Sequence, residues 1–130
     1  MKRKVLVIED NEQNLYLARF LLEKNGYEVF AAVDGKSGIV SAASVLPDII
    51  LLDVQLPEID GYQVARMIRK ISALDNTPIV AVTSYAMPGD REKAMEAGCS
   101  GYIEKPIDPD TFIHEVDAHF LALRGMETEK

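Results

Sequence analysis

The chain has 130 residues, 48% hydrophobic and 27% charged, with a formal net charge of -7 and a pI near 4.8. That gives room for one domain with its own core and too little for two ordinary ones. The acidic balance argues against nucleic acid and against an anionic membrane surface, because both are bound by clustered Lys and Arg. One cysteine allows neither an internal disulfide nor a cysteine-based zinc site, and Cys99 reads as a small core residue. No apolar run is long enough for a signal peptide or a membrane span, so the expected compartment is the cytoplasm.

Val5-Leu6-Val7-Ile8 is an unbroken apolar run closed by Glu9-Asp10, the pattern of a strand buried on both faces. Asn11-Glu12-Gln13-Asn14 supplies helix-start chemistry. Leu15, Ala18, Leu21 and Leu22 follow at helical spacing, and Gly26 suits the position just past a helix end. Glu28 to Ala32 is a weaker strand, placed at or near an edge. Asp34-Gly35 turns into a helix from about Lys36 to Val45, which runs to Pro47.

Ile49-Ile50-Leu51-Leu52 runs straight into Asp53. A carboxylate there lies in the crevice beyond the strand ends, where open α/β sheets place their chemistry. Asp53 is therefore either a cap on the following loop or a reactive group. Leu56-Pro57-Glu58-Ile59-Asp60-Gly61 is a loop. The helix after it carries Val64, Ala65, Ile68 and Ile71 on one face, and Asn76-Thr77-Pro78 breaks it. Ile79 to Val82 is a further buried strand ending at Thr83, and Ser84 to Met87 is a loop. Pro88 and Gly98 bracket a short helix. Ser100 to Glu104 is the last strand, followed by Lys105-Pro106. Asp108 or Asp110 caps a final helix carrying Phe112, Val116, Ala118 and Phe120. Residues 1–124 are expected to form the domain, and 125–130 a polar tail.

Five alternations of strand and helix predict an α/β fold: a doubly wound, five-stranded parallel sheet, flavodoxin-like, in the order 2-1-3-4-5. No Gly-rich phosphate loop follows the first strand, which disfavours nucleotide binding. In that order the strands ending at Glu9-Asp10, Asp53, Thr83 and Lys105 are neighbours. Three carboxylates, a hydroxyl and an ammonium then converge. Converging carboxylates repel, and a hard divalent cation removes the repulsion. Mg²⁺ takes oxygen ligands from one or two carboxylates and phosphate oxygens, so Asp10 and Asp53 are its candidates. Mg²⁺, an ammonium and a hydroxyl together are suited to stabilising a phosphoryl group, with a carboxylate as nucleophile.

These motifs together resemble the receiver domain of two-component response regulators: Glu9-Asp10, Asp53 with Leu56-Pro57 and Asp60-Gly61 behind it, Thr83, and Lys105-Pro106. The likeness runs from about Lys4 to Leu123 and is of the stand-alone, single-domain type. It implies that Asp53 accepts a phosphoryl group from a phosphohistidine on a sensor histidine kinase or a histidine phosphotransfer protein. It implies Mg²⁺ held by Asp10, Asp53 and the backbone carbonyl of Gln55, with Glu9 acting through water. Lys105 pairs with a phosphate oxygen, its bond to Pro106 is cis, and Thr83 bonds the arriving phosphate. Tyr102 is the switch aromatic. It is placed to turn inward, hydroxyl included, when Thr83 moves, altering a surface for a downstream signalling protein. Gln55 and Tyr85 flank the path of the water that removes the phosphoryl group. The Glu at the first acidic position, where many members have Asp, affects metal affinity.

Two other readings compete. An Mg²⁺-dependent phosphatase with Asp53 as nucleophile needs a second acid/base two residues on, where Gln55 stands and exchanges no protons. A flavin carrier needs a Ser/Thr-rich phosphate loop after the first strand, which is absent. His114 and His119 read as surface histidines of the last helix.

Overall fold

The computed structural model describes residues 2–56, 58–84 and 88–119. Strands β1 (Lys4–Ile8), β2 (Glu28–Ala32), β3 (Ile49–Asp53), β4 (Ile79–Thr83) and β5 (Gly101–Glu104) form one parallel sheet in the order β2-β1-β3-β4-β5. Helices α1 (Glu12–Lys24), α2 (Gly35–Val45), α3 (Gly61–Ile68), α4 (Asp90–Glu96) and α5 (112–119) alternate with the strands.

Strand side chains alternate between the two faces, and the core divides accordingly. Leu6, Ile8, Ile50, Leu52, Ile79 and Ala81 point to one face, where Ala42 of α2, Val64 and Ile68 of α3, and Ala94 of α4 cover them. Val5, Val7, Ile49, Leu51, Val80 and Val82 point to the other, under Ala18 and Leu22 of α1 and Phe112 and Val116 of α5. Every residue of β3 and of β4 is buried, which is why both read as continuous apolar runs. Each fully buried aliphatic side chain here stabilises by roughly 1.5–3 kcal/mol before entropy is counted.

The register sets the level of the strand ends. Ile8 pairs with Leu52, Asp53 with Val82, and Thr83 with Glu104. Three helix starts are fixed by side-chain caps: Asn11 accepts from the Asn14 N–H, Asp34 from Ser37, and Asp60 from Tyr62. Gly26, past the end of α1, takes φ 89. The Tyr27 hydroxyl donates to the Asp117 carboxylate, tying the start of β2 to α5 across the back of the sheet.

Two helices differ from what spacing predicts. α3 stops at Ile68, and Ile71 reaches the core from extended backbone before a 3₁₀ turn at Ser72–Leu74. Arg69 fixes that break. Its Nε donates to the Gly98 carbonyl at 2.8 Å and its Nη1 to that of Leu74 at 2.7 Å. In α5 the inward set is Phe112, Ile113 and Val116; Ala118 is exposed, half a turn round from Val116. Phe120 and the tail at 125–130 lie outside the described residues, as do Pro57 and Tyr85. His114 is exposed, whereas His119 is half-buried against β5 and is no surface histidine. Among the described residues no helix is long and apolar enough to cross a membrane.

Candidate functional site

Two strand ends bring the acidic residues together. β1 hands over to Glu9, whose N–H continues the ladder to the Ala32 carbonyl at 3.0 Å. Glu9 is 5% exposed, and its Oε2 accepts from the Asn11 N–H at 3.2 Å. Asp10, next along, is exposed. Asp53 ends β3 with 3% exposure, and its Oδ1 accepts from the Gln55 N–H at 2.9 Å. One carboxylate oxygen each from Glu9, Asp10 and Asp53 lies within 4.8 Å of the others.

Lys105 follows β5. Its N–H donates to the Thr83 carbonyl at 2.7 Å, which aims the side chain across the sheet edge. Nζ then stands 2.8 Å from Glu9 Oε1 and 3.3 Å from Asp53 Oδ2. The Lys105-Pro106 bond is cis, as the resemblance implies. Thr83 closes β4 with 2% exposure, on the strand between Asp53 and Lys105.

These groups perturb one another. Burial, then the neighbouring Asp53, pushes the Glu9 carboxyl up to about 7 against the pull of Lys105. Burial opposes the charge on Lys105, but its bond to Glu9 and the field of Asp53 outweigh that and raise its pKa. The donor set is all hard oxygen with no imidazole or thiolate, which fits Mg²⁺ and not zinc.

The loop after Asp53 is held close. Gly61 begins α3 against the chain that leaves β3: a Cβ there would stand 2.8 Å from the Asp53 carbonyl oxygen. Only glycine permits that approach. Beside the acidic cluster a groove of about 560 Å³ opens, lined by Gln55, Leu56, Glu58, Asp60, Tyr62 and Thr83 among others.

Tyr102 lies one strand beyond Thr83, its ring packed toward the α3–α4 side. The Arg91 guanidinium is 5.5 Å from its ring centroid. Its hydroxyl is already buried, with no hydrogen-bond partner among the described residues. The expectation that this hydroxyl lies at the surface before switching is not met: here it is buried. The side chain of Gln55, read from sequence for its place beside the water path and for exchanging no protons, also bonds Ser84: Oε1 accepts from the Ser84 N–H at 3.1 Å. Nothing in residue spacing announces that contact.

Comparisons with known proteins agree with this geometry. The family model described as response regulator receiver domain matches residues 5–117. The polar-differentiation response regulator DivK of Brucella anthropi is 39% identical over 119 residues, covering 92% of this chain and 97% of that protein. The receiver domain of the Pseudomonas aeruginosa sensor histidine kinase PA1611, solved with a magnesium ion coordinated in its active-site cleft, superposes with a TM-score of 0.83. It is 33% identical, with 91% of this chain and 97% of that one covered. A CheY-like receiver domain protein of Methanospirillum hungatei shares the fold at a TM-score of 0.87 and 24% identity, over the full length of both chains. A receiver model spanning most of the sequence, and a relative this similar across it, mean that the chain belongs to the response regulator receiver domains of two-component systems.

Proposed function

We propose that this chain is a phosphorylation-controlled signalling switch whose phosphoacceptor is Asp53. The observation that carries the reading is the Asp53 carboxylate itself. It is 3% exposed at the end of a central strand, beside two further carboxylates and 3.3 Å from the Lys105 ammonium. A carboxylate oxygen of Asp53 attacks the phosphorus of a phosphohistidine on a sensor histidine kinase or histidine phosphotransfer protein. The O–P bond forms as the N–P bond breaks, and the electron pair stays on the imidazole nitrogen.

Asp10, Asp53 and the Gln55 carbonyl would hold Mg²⁺, with Glu9 acting through water. When bound, the ion supplies positive charge where the carboxylates and the phosphoryl oxygens meet. Lys105 neutralises a phosphoryl oxygen, and Thr83 donates its hydroxyl to another. The charge change is read out at the surface around Tyr102 by a downstream signalling protein, or the phosphoryl group is passed on. Residues 1–124 act as the receiver, in the cytoplasm. The Mg²⁺-dependent phosphatase reading is disfavoured by Gln55, whose carboxamide stands where an acid/base would be needed.

Incubation with Mg²⁺ and a small acyl-phosphate donor, followed by intact mass, tests the reading. Wild type should gain one phosphoryl group and Asp53→Asn none. Equal labelling of the variant would overturn the assignment.

A further inference from the structure

Gln55 joins the two loops that edge the acidic centre. Its backbone N–H donates to Asp53 Oδ1 at 2.9 Å, while its side-chain Oε1 accepts from the Ser84 N–H at 3.1 Å. Ser84 directly follows Thr83, the last residue of β4. The other end of the same carboxamide is stranded. Nε2 is buried and has no partner among the described residues. A carboxamide offers one acceptor and two donor hydrogens, so the side chain here makes its acceptor bond and leaves its donors unmet. A buried unmet donor makes the arrangement less stable than a fully satisfied one, so it is held lightly.

We propose that the Gln55 side chain is a latch on the β4–α4 connection, a positioning residue that occupies the Ser84 N–H until acceptor oxygens arrive at Asp53. The inference rests on the phosphoacceptor reading of Asp53. A phosphoryl group adds three strong acceptor oxygens and negative charge at this centre. A charged acceptor outcompetes a neutral carboxamide oxygen for an N–H. The Ser84 N–H then exchanges Oε1 for a phosphoryl oxygen. No covalent bond changes; one hydrogen bond replaces another. Ser84 moves with its amide, and the Gln55 carboxamide is free to turn. The side chain at position 55 thereby sets how readily Ser84 leaves its resting place.

Solvent exchange of the Ser84 amide, measured by NMR with and without Mg²⁺ and beryllofluoride as the phosphoryl mimic, tests this in wild type, Gln55→Met and Gln55→Glu. Methionine keeps the length and shape and removes the acceptor; glutamate keeps an acceptor. Without the mimic, Ser84 should exchange about tenfold faster in Gln55→Met than in wild type, the factor expected for one lost hydrogen bond. Gln55→Glu should restore the slow rate. Gln55→Met should also bind the mimic more tightly by a similar factor, because no bond has to be given up. In wild type, which needs no variant, the mimic should shift the Ser84 amide resonance and the Gln55 side-chain resonances together. Equal resting exchange in wild type and Gln55→Met overturns the latch, as does unchanged affinity for the mimic. If beryllofluoride fails to bind wild type at all, the phosphoacceptor reading falls and takes the latch with it. If it binds and the exchange rates are equal, the latch alone falls.

Discussion

His119 fills the space that a side chain at position 101 would need: a Cβ built on Gly101 would stand 2.6 Å from His119 Nε2. The last helix and the edge strand therefore interlock through a ring and a missing side chain. Gly101→Ala forces the imidazole out or the helix back; swinging a half-buried ring aside is the cheaper course, so the loss should be about 1 kcal/mol, the low end for overpacking. His119→Ala in the same chain should return much of that loss. Urea unfolding of the two single variants and the double variant measures the coupling. Additive effects would mean that the two positions do not share the space.

Burial also lowers the pKa of His119. A histidine whose folded pKa lies below its unfolded value, about 6.5, contributes stability that is whole above that value. The contribution is lost as pH falls through about 6.5 toward the folded pKa. Glu9 has the opposite sign. Its carboxyl is raised from 4.5 to about 7, so its contribution is whole below 4.5 and lost as pH rises through 7. The two oppose each other in the same window, and the wild-type curve alone cannot separate them. His119→Gln isolates the imidazole. The stability gap between wild type and His119→Gln should change in wild type's disfavour between about pH 7.5 and about pH 5. A gap independent of pH would remove His119 from the titration.

Sequence patterning reaches far in this protein, and its failures have physical causes. β1, β3 and β4 were legible because strands buried on both faces must be apolar throughout. Glu9, Asp10, Asp53, Thr83 and Lys105 were legible as a group because parallel strands leave their C-terminal ends on one edge. Ile71 misled because an apolar residue at helical spacing reaches the same core from extended backbone once Arg69 has closed the helix. His119 misled because the space it fills is made by the absence of a side chain at position 101. The Gln55 carboxamide was invisible as a link because its partner is a backbone N–H 29 positions away, and backbone groups are the same at every residue.

Metal binding should be proton-linked. A divalent cation among Glu9, Asp10 and Asp53 favours the ionised carboxyl of Glu9, so binding releases protons below about pH 7 and tightens as pH rises from about 5 to about 8. At a hundredfold excess over Kd, Mg²⁺ should stabilise the fold by about 2.7 kcal/mol. Thermal melts with and without Mg²⁺ at several pH values read both effects. Asp10→Asn should abolish most of the shift, and an equal shift in the variant would place the ion elsewhere.

Tyr102→Phe should be no less stable than wild type. The hydroxyl it removes is buried without a partner among the described residues, and deleting such a group spares a desolvation cost of about 1–3 kcal/mol. The stacking of Arg91 over the ring survives the change. Chemical denaturation decides it: a loss of stability greater than about 1 kcal/mol would show that the hydroxyl is satisfied in solution.

The register of the sheet also has a temporal meaning. Glu9, Asp53 and Lys105 meet because β1, β3 and β5 are each in place, across the positions from 9 to 105. Contacts this distant in sequence carry a loop-closure entropy that must be met before they are made. A chain still leaving the ribosome with β5 unmade holds Asp53 but no ammonium beside it. On the proposed function, phosphoryl uptake is thus a certificate of completed folding.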